Sequence, residues 1–188
     1  MQNSQIILSE SESLKQNLNF ECPREIFQQQ ELLEIEYFNF QNQKCLGQVV
    51  VNNKIIPEIK EIFKFILEIK FPLQSVIPIS YFNFNDILSI EKNNTSGFNY
   101  RYILNTNRLS NHAFGLAVDI NPEQNIYFKL DQNGKEIFRY PVGGIYDKNV
   151  AGTLYAEHPV VLKFKELGFK WGGDWTDYKD YQHFEKVG

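Results

Sequence analysis

The opening residues of the chain, rich in Gln, Asn, Ser and Glu, carry neither helical nor strand periodicity and read as a polar tail, 1–20, ahead of a single domain, 21–188. Alternation begins with Leu33, Ile35 and Tyr37 inside 31–40, and 45–51 is rich in strand formers. The polar stretch 41–44 between them predicts a β-hairpin. Over 56–69 the period changes, with Ile59, Ile62, Phe63, Ile66, Leu67 and Ile69 at helical spacing, Pro57 suited to a first turn and Pro72 just past the end. A strand is predicted over 74–82. The next stretch, 83–99, reads as a long polar loop, since Asn93-Asn94-Thr95-Ser96-Gly97 has the composition of turns; loops of such length in compact domains are often functional. Segments 100–104 and 115–120 follow, then a Gly- and Pro-punctuated excursion over 121–153, a helix over 159–167 and an aromatic segment running to Gly188. Helical and strand patterns mix without regular β-α-β alternation, so the expected class is α+β.

Composition narrows the range of functions. With 43% apolar and 15% aromatic residues in 188, the chain has the material for one well-buried core. A net charge of -4 with interspersed signs leaves no basic stripe, so nucleic acid is not expected as a partner. No run approaches the roughly 18 apolar residues a membrane span requires. Residues 1–20 lack the apolar core of a secretory signal, so either none exists or it has been removed; removal would imply a periplasmic or extracellular location, its absence a cytoplasmic one. Cys22 and Cys45 are too few for a disulfide framework and have no Cys or His at metal-ligand spacing; two free thiols are the favoured reading, a pair in an oxidising compartment the other. No coiled coil or long apolar seam is visible, and a monomer is expected.

The candidate chemistry lies in two places. Ser110-Asn111-His112-Ala113-Phe114-Gly115-Leu116-Ala117-Val118-Asp119 sets an imidazole and a carboxylate seven residues apart, with small residues and a Gly between. A loop leading into a strand could turn both toward one point. Asp180-Tyr181-Gln182-His183-Phe184-Glu185 supplies a second imidazole and a carboxylate three residues before it. Two histidines and one carboxylate can form a three-ligand zinc site with an open fourth position, the arrangement of catalytic zinc. A further carboxylate beside such a site could take a proton from water as hydroxide attacks a peptide carbonyl. Spacing by itself leaves the bland alternative open, because a lone His in a globular domain is more often a hydrogen-bonded structural residue.

The run S-N-H-A-F-G-L-A-V-D-I-N-P, followed by W-G-G-D-W and D-Y-Q-H-F-E, resembles the VanY/VanX-type D-alanyl-D-alanine carboxypeptidase family, which includes L-alanyl-D-glutamate endopeptidases of phage lysins. Upstream, Asn93 to Arg101 is similar to the segment before the metal motif in a bacterial branch of the family, so the likeness extends over about 49–186. The resemblance implies a Hedgehog/D,D-peptidase fold, a small antiparallel sheet with flanking helices, and one zinc ion held by His112, Asp119 and His183. It implies Asp180 as general base, where several relatives have Glu, Arg101 as the cation facing the substrate carbonyl and its oxyanion, and Ser110 as a substrate-binding residue. The implied substrate is a peptidoglycan stem peptide, with carboxypeptidase and endopeptidase action both open. One departure is Ile126 in Asn125-Ile126-Tyr127, where relatives read Asn-Pro-Tyr.

Other candidates are weaker. His158 reads as an exposed residue at a helix start rather than a fourth ligand. Trp171, Trp175, Tyr178 and Tyr181 could line a groove for peptide or sugar, or pack in the core, the latter expected for Trp171. Asp174 and Asp177 read as turn residues or as partners that orient a ligand imidazole. Besides a peptidase, two readings stand: a non-catalytic zinc-containing module that binds cell wall or a partner, and an intracellular dipeptidase.

Overall fold

A computed structural model describes residues 7–9 and 22–186; apart from Ile7, Leu8 and Ser9, the tail expected over 1–20 lies outside the described residues. Following a single helical turn, α1 (Arg24–Phe27), strands β1 (Gln30–Phe38) and β2 (Lys44–Asn52) form the predicted antiparallel hairpin. Leu33, Ile35 and Tyr37 face the core, while Glu34 and Glu36 between them stay in water, the period-2 division of a half-buried strand. β2 differs, because it is buried on both faces from Gly47 onward. Val49 and Val51 enter the main core, and Val50 joins a smaller cluster with Phe98, Tyr100 and Ala113. Leu8 also meets this strand: its N–H donates to Gln48 Oε1 at 2.7 Å and its carbonyl accepts from Gln48 Nε2 at 2.9 Å.

Helix α2 (Ile56–Glu68) follows with Pro57 in its first turn and buries Ile59, Ile62, Phe63 and Ile66 against β1 and a later helix, α4 (Pro159–Glu166). Burial on this scale stabilises by about 1.5–3 kcal/mol per large aliphatic side chain. Both helices match the ranges expected from the apolar spacing to within a residue.

The middle of the chain departs from expectation. Over 74–82 only β3 (Ser75–Val76) is a strand; Pro78 then leads into a 3₁₀ turn, Ile79–Phe82. The buried Asn94 side chain takes over the role of a partner strand, accepting from Ile77 N–H and donating to Ile77 C=O. The loop expected over 83–99 holds a helix, α3 (Asp86–Glu91), capped by Asn85, whose side chain accepts from Leu88 N–H at 3.1 Å. It also holds β4 (Asn94–Thr95), parallel to β3.

The rest builds two three-stranded sheets. β5 (Ala117–Asp119) flanks β10 (His183–Glu185), whose other neighbour is β8 (Lys170–Trp171). The excursion over 121–153 contains a hairpin, β6 (Tyr127–Leu130) and β7 (Glu136–Tyr140), and β9 (Tyr178–Asp180) adds to β6. The turn at its tip is built by Asp131, whose Oδ1 accepts from Asn133 and Lys135 N–H, with Gly134 at φ 78°. Aromatic packing pins β10: Phe184 stacks on Phe164 of α4 at 3.8 Å, and Trp171 is buried with its indole N–H on Tyr181 C=O at 2.9 Å. The class is α+β, as expected. Among the described residues, no helix is long and apolar enough to cross a membrane.

Candidate metal centre

His112 sits on a 3₁₀ turn, Asn111–Phe114, that opens and closes by specific chemistry. At its start, Ser110 Oγ accepts from His112 N–H at 3.3 Å, an N-cap. At its end, Gly115 adopts φ 66°, and a Cβ there would meet Gln30 Oε1 at 2.0 Å and the Asn52 amide nitrogen at 2.7 Å. The Gly three residues after His112 therefore reverses the chain into β5, carrying Asp119 back beneath the imidazole. Asp119 is doubly fixed: its backbone exchanges two hydrogen bonds with Ser96 (3.1 and 2.9 Å), and across the other edge it pairs with His183 of β10.

Three buried side chains thus converge. His183 Nδ1 lies 3.0 Å from Asp119 Oδ1, His112 Nε2 lies 3.1 Å from Asp119 Oδ2, and the two imidazole nitrogens are 3.2 Å apart. Candidate ligand atoms from all three residues lie within 4.8 Å of one another. The far nitrogen of each ring has its own partner. His112 Nδ1 lies 2.6 Å from Gly97 C=O, which can only accept, so that nitrogen bears the hydrogen and Nε2 presents its lone pair. His183 Nε2 lies 3.2 Å from Glu185 Oε2, so the opposite tautomer leaves Nδ1 facing the centre. Two lone pairs and a carboxylate aimed at one point repel one another unless a cation lies between them. The donor set, its burial and the locked tautomers fit a divalent metal ion.

The electrostatics agree. For Asp119, burial acts to raise the carboxyl, but His112 and His183 outweigh it and hold it well below the usual carboxylate range. Burial acts to lower His183, yet hydrogen bonds to Asp119 and Glu185 raise it to about 10, so a proton occupies the group when no metal does. Asp180 is pushed up to about 6, mainly by burial, with Asp119 adding to it and His183 opposing. Its Oδ1 is shut from solvent and has no hydrogen-bond partner. Tyr127 of β6 pairs with Asp180 across the β6–β9 ladder, so the hairpin missed in the sequence walls this carboxylate.

The remaining candidates have partners of their own. Arg101 pairs with Asp86 of α3 at 3.1 Å, its Nε is buried without a partner, and its backbone carbonyl accepts from Ser110 N–H at 3.0 Å. Trp175 lies against the His183 ring at 5.3 Å and continues through Tyr178, Tyr127 and Phe138 as an aromatic row leading outward; Tyr181 instead packs on Tyr146 and Trp171. Asp174 is an exposed partner of Lys165 and Asp177 accepts from its neighbour Thr176, so among the described residues neither contacts His112 or His183. His158 is half-buried rather than exposed: it caps α4 by accepting from Val160 N–H and packs on Phe71 and Tyr155. Ile126 is buried, and a Cβ on Gly144 would strike it. Cys22 and Cys45 are free thiols. Sequence reasoning missed Glu185 as a partner of His183, although two residues along a strand share one face and the spacing His183-Phe184-Glu185 carried that signal.

A buried His-Asp-His group on an antiparallel ladder, with a carboxylate three residues before the second His, is a group that could hold a metal ion. Residues 104–186 match the sequence model of the family described as D-alanyl-D-alanine carboxypeptidase. Over 81 residues the chain is 35% identical to the peptidoglycan L-alanyl-D-glutamate endopeptidase CwlK of Bacillus subtilis (strain 168), an alignment taking in 42% of this chain and 40% of that protein. The resemblance to the VanY/VanX-type family is thereby borne out for the segment bearing all three candidate ligands, while the upstream stretch to Arg101 falls outside the matched residues. No solved structure matches the chain.

Proposed function

We propose that the chain is a zinc-dependent peptidase that hydrolyses a peptide bond in peptidoglycan stem peptides, as a D,D-carboxypeptidase or an L-alanyl-D-glutamate type endopeptidase. The observation that carries this is the convergence of His112 Nε2, Asp119 and His183 Nδ1, together with an Asp180 whose Oδ1 is shut from solvent. Those three residues would hold one zinc ion, which when bound supplies a Lewis acid that acidifies water and polarises a carbonyl. Asp180, with a carboxyl raised to about 6 and an unpartnered Oδ1, accepts the proton of the attacking water and returns it to the leaving amine. Arg101 stabilises the oxyanion, for which its guanidinium must leave or share Asp86. Ser110 contacts substrate through its hydroxyl hydrogen, its oxygen being used to cap the His112 turn. The aromatic row from Trp175 to Phe138 offers flat apolar faces to peptide or sugar. On this reading the chain works as a monomer within the Hedgehog/D,D-peptidase fold, in the periplasm or outside the cell, where its substrate lies.

The test is to measure zinc content and stem-peptide cleavage for wild type and Asp180→Ala. One zinc per chain and cleavage lost in the variant is the expected result. Bound zinc with both proteins equally inert on every stem peptide would instead favour the non-catalytic cell-wall-binding module.

A further inference from the structure

The Glu185 carboxylate does more than touch one ligand. Its Oε2 lies 3.2 Å from His183 Nε2 and also accepts from Asn111 Nδ2 at 2.6 Å. Asn111 immediately precedes His112, and Glu185 comes two residues after His183, so one oxygen ties together the two chain segments that carry the imidazoles, 74 residues apart at the Asn111–Glu185 contact. The backbone joins the same two segments one step further from the rings: Lys186 N–H donates to Leu116 C=O at 2.8 Å and Leu116 N–H to Asn111 C=O at 3.0 Å, while the Asn111–Phe114 turn is also held by Gly97 C=O on His112 Nδ1 and by Asn99 N–H on His112 C=O.

The two rings also need opposite tautomers, and Glu185 supplies the one that backbone cannot. For His112 the carbonyl of Gly97 fixes the hydrogen on Nδ1. The corresponding hydrogen of His183 must sit on Nε2 for Nδ1 to face Asp119, and Glu185 is the acceptor recorded there. Asn111 in turn fixes the carboxylate, because a short bond to its amide holds Oε2 in place whether or not the imidazole is engaged. Glu185 is partly shielded, with a side chain 19% exposed, which limits the access of water to the same bond.

We infer that Glu185, held by Asn111, is a positioning residue that locks the tautomer and orientation of His183 and sets the affinity of the centre for its metal. This rests on the reading that His112, Asp119 and His183 bind a divalent ion. Loss of such an outer partner lowers metal affinity by roughly 10- to 100-fold in known sites. Glu185→Gln keeps an oxygen able to accept from both His183 and Asn111, and is expected to remain within a few-fold of wild type. Glu185→Ala leaves His183 free to flip, and Asn111→Ala frees the carboxylate while leaving the imidazole bond possible, so its loss should be the smaller of the two.

The experiment is a competitive zinc titration of the full chain in the four forms, with circular dichroism as a check of folding and ¹⁵N spectra of the zinc-loaded histidines. Support is the order wild type, Glu185→Gln, Asn111→Ala, Glu185→Ala in affinity, with a protected His183 Nε2–H signal in the first two that is lost in the last. If wild type binds zinc and Glu185→Ala binds it equally with the same signal, the positioning role is overturned while the peptidase reading stands. If Glu185→Ala does not fold, equal affinities in wild type and Asn111→Ala, together with no protected Nε2–H in wild type, overturn it. A wild type that binds no zinc removes both.

Discussion

Asp119 and His183 face each other directly across the β5–β10 ladder, with Oδ1 and Nδ1 3.0 Å apart. Placing two candidate ligands at one register position means that backbone hydrogen bonds, more than side-chain freedom, set their separation. Asp119→Ala is expected to leave the ladder intact and remove zinc from the protein, since it deletes the group that both imidazoles face. Metal analysis after dialysis, alongside circular dichroism, checks this; zinc retained at one per chain would contradict it.

His183 gives a pH signature. In the metal-free protein its value rises from an ordinary 6.5 to about 10, so the folded state holds a proton that the unfolded chain gives up earlier. The stabilisation is fully present below about 6.5 and is lost as pH climbs toward 10. Metal-free protein should therefore lose thermal stability over that interval, and zinc, which replaces the proton, should be released into solution as the medium is acidified. Melting curves with and without chelator from pH 6 to 10 test the first part.

On the proposed peptidase reading, the group that sets the pH dependence of catalysis is Asp180. A carboxyl near 6, raised by burial first, predicts that kcat/KM climbs with pH along an acid limb at or below about 6, the bound dication acting to draw it downward. Asp180→Ala should lower kcat by roughly 10²- to 10⁴-fold. A pH profile with no acid limb in the wild type would count against Asp180 as base.

Gly97 is a spacing constraint. Its own Cβ would lie 2.3 Å from Val50 C=O, so alanine must push the segment off β2 and take the carbonyl away from His112 Nδ1. Gly97→Ala is expected to cost about 1–3 kcal/mol of stability and to weaken zinc binding as well. Denaturant titration and zinc titration on one preparation separate the two effects.

Phe164 lies far from the chemistry in sequence yet supports it. Its stack on Phe184 at 3.8 Å fixes the residue between His183 and Glu185. Phe164→Ala should cost about 3–5 kcal/mol, lowering Tm by roughly 6–20 °C. A calorimetric scan measures it.

The parts of this fold that were legible in the sequence are those whose signal is local. Helix α2 announces itself by apolar spacing and two prolines, the β1–β2 hairpin by alternation, and the ligand trio by motif. The strand expected over 74–82 failed because Asn94, distant in sequence, supplies the hydrogen bonds a neighbouring strand would have given. Helix α3 and the β6–β7 hairpin carried local signals that were passed over: Asn85 as a cap, and Asn133-Gly134 between alternating residues. The pairing of Arg101 with Asp86 and the bond from Asn111 to Glu185 had no such signal, since only the closed fold brings those residues within reach.

The carbonyl that sets the His112 ring belongs to residue 97, ahead of the matched segment 104–186, and it is wedged against β2. A fragment cut to the matched residues would keep all three candidate ligands and lose the acceptor that aims one of them. Grafting this centre into another scaffold therefore means carrying the N-terminal hairpin with it as part of the active assembly.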